Sequence, residues 1–224
     1  MKMGLKALIY GLVGIVVVGL ILFWPAGTLN YWQAWVFIAV FTLATIVPSG
    51  YLARTDPAAL QRRMRGGPLA ETRPIQKILV LGIFLVLLAM VGLSAVDHRF
   101  GWSSAPMWLS VIGDILIVTG LSASMLVVVQ NSYAASTVTV ETGQTVASRG
   151  LYGFVRHPMY AASVVLMVGI PLALGSYWGL LMLIPSVSVL VLRILDEEKL
   201  LTQELSGYRE YRERVRYRLV PHVW

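Results

Sequence analysis

Apolar residues fall along this chain in long runs with few or no charges, not in the alternating pattern of a half-buried strand. Six stretches, residues 5–23, 31–52, 78–96, 106–129, 159–174 and 177–195, predict helices. A hydrocarbon core ~30 Å thick is crossed by about 20 helical residues, so most of the six reach the length of a membrane span. The fifth is short, and Pro171 and Pro185 interrupt the last two. That pair predicts a helical hairpin turning at Gly175-Ser176; a single bent re-entrant element is the alternative. The fold class expected is all-α, a polytopic integral membrane bundle of six transmembrane helices.

Composition points the same way. The 224 residues are 57% hydrophobic and 13% charged, where a soluble domain carries roughly 25% charged residues. Lipid is therefore the expected solvent for much of the surface. The lysines and arginines then set an orientation. Lys2 and Lys6 precede the first run. Arg54, Arg62, Arg63, Arg65, Arg73 and Lys77 lie between the second and third. Arg149 and Arg156 separate the fourth and fifth. Arg193, Lys199, Arg209, Arg212, Arg214, Arg216 and Arg218 stand at or beyond the end of the sixth. Only Arg99 falls on the other side, so seventeen of the 18 basic residues share one face. The positive-inside rule makes that face cytoplasmic, with both termini inside and the cell (inner) membrane as location.

A net charge of +7 raises the possibility of a nucleic-acid partner. The basic residues are juxtamembrane and carry no nucleic-acid motif, so anionic headgroups of membrane lipids are the expected partner instead. The first run has the lysines and apolar stretch of a signal peptide. It is long for that role, and Phe23-Trp24-Pro25 stands where small residues would mark cleavage, so a retained anchor is expected. With no cysteine, disulfides, thiolate nucleophiles and cysteine metal sites are excluded.

The chain divides into a scaffold of four helices, residues 1–129, and a functional part, residues 130–224, made of a connector, the hairpin and a cytoplasmic tail. Within the scaffold, Asp56-Pro57 is a helix-start signal for a short interfacial helix stopped by Gly66-Gly67-Pro68. The connector to Pro158 is polar. The tail begins at Asp196 as a continuation of the sixth helix, breaks at Gly207, resumes through residues 208–217 and closes with Pro221 and Trp224. Tyr208, Tyr211, Tyr217 and Trp224 suit a headgroup layer.

Three features could carry chemistry. In the run Gly150 to Tyr160, Pro158 is suited to the first position of a helix, whose free N–H groups and dipole favour an anion beside His157. Arg-His-Pro serving only to cap a membrane helix is the plainer reading. At the end of the sixth run, Arg193 and Glu197 are four apart and share a helical face. They make either an ordinary ion pair or a charged site at the membrane boundary. Asp114, inside the fourth run, is expected to make a structural hydrogen bond between helices. Topology brings the start of span five and the end of span six to one face. His98, His157 and His222 are too scattered for a metal triad, and no glycine-rich nucleotide loop is present.

The ordered set Gly150, Tyr152, Arg156-His157-Pro158 and Tyr160, then Arg193, Glu197-Glu198, Gly207-Tyr208 and Tyr211, resembles the isoprenylcysteine carboxyl methyltransferase family. The resemblance covers roughly residues 130–224. It implies an integral membrane enzyme that binds S-adenosyl-L-methionine in a cytoplasmic pocket closed by the tail and takes a lipophilic acceptor from the bilayer. Carried over by position, the cofactor is held by Gln144, Thr145, Val146, Ala147, Tyr152, His157, Pro158, Met159, Tyr160 and Glu197. Arg193 falls where the family binds substrate. Gln144 replaces a histidine of the eukaryotic enzymes and Ala147 a valine, and the chain has fewer spans.

The reaction expected is carboxyl O-methylation of an isoprenylcysteine-like acceptor. A carboxylate is already ionised and needs no base, and Arg193 would orient it. A lipid phenol, thiol or amine would require a base, for which Glu198 and His157 are the candidates. A sterol-type reductase using a nicotinamide cofactor is a second class, though it should want more basic residues. A transporter is a third, but it would place polar groups at mid-membrane.

Overall fold

In the computed structural model, residues 3–64, 66–134, 137–141 and 143–224 are described, with side chains from Val13 onward. Lys2, Arg65 and the side chain of Lys6 lie outside the described residues. Among the described residues eight α-helices run in chain order: α1 Met3–Ala26, α2 Trp32–Thr55, α3 Pro57–Met64, α4 Pro74–Phe100, α5 Met107–Gln130, α6 Pro158–Ala173, α7 Leu183–Glu204 and α8 Tyr208–Arg214. Two single 3-10 turns, Gly150–Gly153 and Trp178–Met182, precede α6 and α7, and no strand occurs among the described residues. The all-α membrane bundle expected from the apolar runs is the architecture found.

Trp32–Thr55, Pro74–Phe100, Met107–Gln130 and the continuous stretch Trp178–Glu204 are long and apolar enough to cross a membrane. Side chains such as Val47, Ile78, Ile115 and Ile184 point out of the bundle and stay exposed, as a surface solvated by lipid requires. α6 has only 16 residues, about 24 Å at 1.5 Å per residue. It nevertheless runs the depth of the bundle. Its far end meets the end of α4, where Ser176 Oγ donates to Asp97 at 2.5 Å, and Tyr31 Oη donates to the Leu174 carbonyl at 2.6 Å. The Tyr31 ring stacks on His98 with centroids 3.7 Å apart. The hairpin turn therefore lies level with the other turns of that end, which argues against a half-depth re-entrant element.

A seam of small residues lets α6 lie against α5. A Cβ on Gly113 would stand 2.1 Å from the Ala173 nitrogen, and one on Gly120 would stand 2.9 Å from the Ala162 carbonyl. The pairing of Gly113 with Ala173 and Gly120 with Ala162 makes the two helices antiparallel. Such backbone approach is how helices associate where lipid removes the hydrophobic drive. The same seam corrects the expectation for Asp114. Its buried Oδ1 has no hydrogen-bond partner among the described residues. Gly169 and Ala173, which α6 packs against α5 at this level, carry no side-chain donor.

The short interfacial helix is α3, and its start follows the sequence signal. Asp56 Oδ1 accepts the Ala59 N–H at 2.9 Å, the N-cap bond that orders a first helical turn. The tail departs from expectation in two ways. α8 stops at Arg214 and does not reach Tyr217, because the next residues extend to pair with the start of α6: the Arg156 N–H donates to the Tyr217 carbonyl at 2.9 Å and the His157 N–H to that of Arg218 at 3.0 Å. Tyr208 and Tyr211 do not face a headgroup layer. Both are buried, packed with Leu205 and Val215 and against Val140, Val146 and Leu201, because Gly207, at φ 80°, turns α8 back onto the connector.

Candidate active site

The end of the bundle opposite Asp97 holds the C-terminus of α5, the N-terminus of α6, the charged end of α7, and the connector and tail that cover them. A cavity of about 640 Å³ lies there, within the ~300–1,000 Å³ of small-molecule sites. Gln144, Thr145, Val146, Ala147, Tyr152, His157, Pro158, Met159, Tyr160, Arg193 and Glu197 all line it. Of the residues expected from the sequence to form a site, only Glu198 is not among the lining residues. One wall is polar, from the connector and the first turn of α6. Another is apolar, from Val80, Ile83 and Phe84 of α4, Leu121 of α5 and Leu166 of α6.

Glu197 and Glu198 are adjacent in sequence but divide between two environments. Glu197 faces the cavity and accepts the Tyr160 hydroxyl at 2.5 Å, with His157 Nδ1 4.0 Å from its other oxygen. Glu198 is buried and held by Arg156 Nε at 2.7 Å, Arg218 Nη2 at 2.9 Å and His157 Nε2 at 3.2 Å. It ties the tail to α7 and α6 and, unlike Glu197, does not line the cavity. His157 sits between the two carboxylates as the residue preceding α6, with Pro158 at the first helical position. The helix start that the sequence predicted at Pro158 is the one found, and its first-turn amides lie at the cavity.

Arg193 is 5% exposed and does not stand as a simple pair with Glu197. Nε donates to the Tyr160 hydroxyl at 3.0 Å, which itself donates to Glu197, so the phenol bridges the two. Nη1 donates to Gln76 at 2.7 Å, and Nη2 is 2.8 Å from the Glu71 carboxylate. Gln76 also donates to Asp196 at 2.6 Å, whose second oxygen meets Arg73 at 2.6 Å. Glu71 and Gln76 were missed in the sequence. A lone acid in a basic loop and a glutamine opening an apolar helix were the available signals, and neither says which side chain it faces.

The connector is pinned locally. The Gln144 side chain accepts the Glu141 N–H at 2.9 Å, and Asn131 Nδ2 donates to the Tyr152 hydroxyl at 3.1 Å. The Tyr211 hydroxyl donates to the Tyr152 carbonyl at 2.8 Å. Gly150 takes a positive φ of 61°, which favours glycine, and a Cβ there would displace the end of the Gln130 side chain, 2.5 Å away. Burial pushes the Tyr152, Tyr208 and Tyr211 phenols above their ordinary range, so they stay neutral. Arg63 of α3 also lines the cavity, its Nη1 2.8 Å from Met159 Sδ.

Residues 108–209, from α5 through the connector and hairpin to the first turn of α8, match the profile of the phospholipid methyltransferase family. That family belongs to the same superfamily of membrane methyltransferases as the isoprenylcysteine carboxyl methyltransferases. The match and the apolar helices support an integral membrane methyltransferase. A comparison with curated proteins finds no significant match.

Proposed function

We propose that the protein transfers a methyl group from S-adenosyl-L-methionine to a lipophilic acceptor drawn from the bilayer. The observation that carries this reading is the lining of the cavity, polar at the connector and α6 and apolar along α4, α5 and α6. The residues present fit the donor. Glu197 would take its ammonium in a charge-assisted bond, the first turn of α6 its carboxylate, and Gln144, Thr145, Val146, Ala147 and Tyr152 its remainder. When bound, S-adenosyl-L-methionine supplies an electrophilic methyl on a sulfonium. The chain's task is then alignment and exclusion of water. Tyr160 holds Glu197 and Arg193 in fixed relation, and Arg156, Glu198 and Arg218 hold the tail over the cavity. We place this end of the bundle in the cytoplasm, from the distribution of basic residues.

For the acceptor, a carboxylate of an isoprenylcysteine-like molecule at Arg193 is one reading, taken from the motif resemblance. A phospholipid is the second, favoured by the family matched at residues 108–209. Radiolabelled methyl transfer in nanodiscs to a prenyl-cysteine series of rising tail length, beside phospholipids, separates them. Each buried CH₂ adds about 0.8 kcal/mol of partitioning, so apparent affinity is expected to climb with tail length. A base-labile product identifies a carboxyl ester, and a base-stable one another head. Equal methylation of a small water-soluble thiol would remove the membrane acceptor from the proposal.

A further inference from the structure

Glu71 belongs to the loop between α3 and α4, is 2% exposed and does not line the cavity. It touches the site only through others. One carboxylate oxygen is 2.8 Å from Arg193 Nη2, and the second accepts the N–H of Val138 in the connector at 3.1 Å. Arg193 does line the cavity, so the charge a ligand meets there is the arginine's charge as modified by what stands behind it.

The charges immediately around Arg193 balance in pairs. Arg193 is matched by Glu71, and Arg73 by Asp196, with Gln76 joining the two pairs. Farther along, Glu198 is shared by Arg156 and Arg218. Glu197 then adds a carboxylate on the cavity wall beside Arg193, and Tyr160 between them is neutral. A free carboxylate arriving at Arg193 would meet a guanidinium already neutralised by the carboxylate behind it, with Glu197 a second carboxylate beside it wherever the cofactor ammonium has not taken it up. In a cavity partly shielded from water such like charges are screened less than on an open surface. A neutral or cationic head meets no such opposition.

We infer that Glu71 is a positioning residue that sets head-group selectivity: by neutralising Arg193 it disfavours acceptors with a free carboxylate and favours neutral or cationic heads. The inference rests on the reading that an acceptor's head reaches Arg193. Arg63 lines the same cavity, and comparing variants that all retain it isolates the effect of Glu71.

The experiment uses the full chain in nanodiscs and four probes sharing one alkyl tail: a carboxylate, its methyl ester, an alcohol and an amine. Binding is measured for the wild type, for Glu71→Gln, which keeps the size of the side chain and an oxygen for Val138, and for Glu71→Gln with Arg193→Gln. The wild type is expected to bind the ester and amine on the order of tenfold more tightly than the carboxylate, a preference that Glu71→Gln shifts towards the carboxylate by a similar factor. The double variant, with no arginine to unmask, should lose that gain. If Glu71→Gln does not fold, the wild-type ratio and the charge-balanced double variant decide. A wild type that prefers the carboxylate, an unchanged ratio in Glu71→Gln, a gain that survives in the double variant, or no binding of any probe overturns the inference. S-adenosylhomocysteine binding to the wild type is measured alongside. Its absence would count against the methyltransferase reading, while the probe ratios still decide the role of Glu71.

Discussion

Glu198 and Arg156 are 42 positions apart in the chain, and their side chains meet at 2.7 Å in a buried ion pair that also fastens the tail. Arg156 Nη1 donates to the carbonyls of Val215 and Arg216, and Arg218 closes on the second oxygen of Glu198. The start of α6, the end of α7 and the strap beyond α8 are thus one electrostatic unit.

Glu198→Gln should therefore loosen the strap without removing a cavity group. Breaking one side of a buried pair costs about 3–5 kcal/mol, mostly from the charge left behind. A lowered melting temperature in detergent is expected, with faster tryptic cleavage around Arg214 and Arg216. An unchanged digestion pattern would mean that the tail is held by other contacts.

Glu197→Gln should weaken binding of S-adenosyl-L-methionine by the worth of a charge-assisted hydrogen bond, about 1.5–3 kcal/mol, with little change in melting temperature. Tyr160→Phe removes the hydroxyl that bridges Arg193 and Glu197 and should produce a smaller loss in the same direction. Isothermal calorimetry measures both. Full affinity in Glu197→Gln would dissociate this carboxylate from the cofactor ammonium.

Gly113→Val should abolish recovery of folded protein, because the added carbon would overlap the backbone of Ala173 at 2.1 Å. Gly92 in α4 has nothing within 4 Å of its Cβ position, so Gly92→Ala should be neutral or stabilise by about 0.5–1 kcal/mol through helix propensity. Size-exclusion profiles and thermal melts of the two variants read the contrast. Good yields of a monodisperse Gly113→Val protein would contradict the seam between α5 and α6.

Single cysteines test orientation. Ser176 is buried against Asp97 and is unsuitable for labelling, whereas Ser104, Thr72 and Ser206 are exposed. An impermeant thiol reagent added outside intact cells should label Ser104→Cys and spare Thr72→Cys and Ser206→Cys. Labelling of Ser206→Cys from outside would invert or break the proposed topology.

Much of the bundle was legible along the chain because its causes are local. A run of apolar residues has one economical fate in lipid, since a backbone with no water to bond must bond to itself within a helix. The start of α3 at Asp56-Pro57 and the break at Gly207 are likewise written in adjacent residues. The motif Arg156-His157-Pro158 and the pair Glu197-Glu198 fall at the same end of the bundle, around one cavity. The geometry of a helix beginning at Pro158 directs nearby side chains to one place, whatever the partner.

Tertiary structure alone decided how those side chains are divided. Glu197 and Glu198 are successive residues, and a turn of about 100° between them on a helix of ~3.6 residues per turn sends one to the cavity and the other to Arg156 and Arg218. Glu71 meets Arg193 only because α4 packs beside α7. Tyr208 and Tyr211 turn inward only because the connector offers Val140 and Val146 to cover them. Sequence carries the periodicity and chemistry of each segment. Which charge neutralises which depends on distances between segments far apart in the chain, and those distances exist only once the helices have packed.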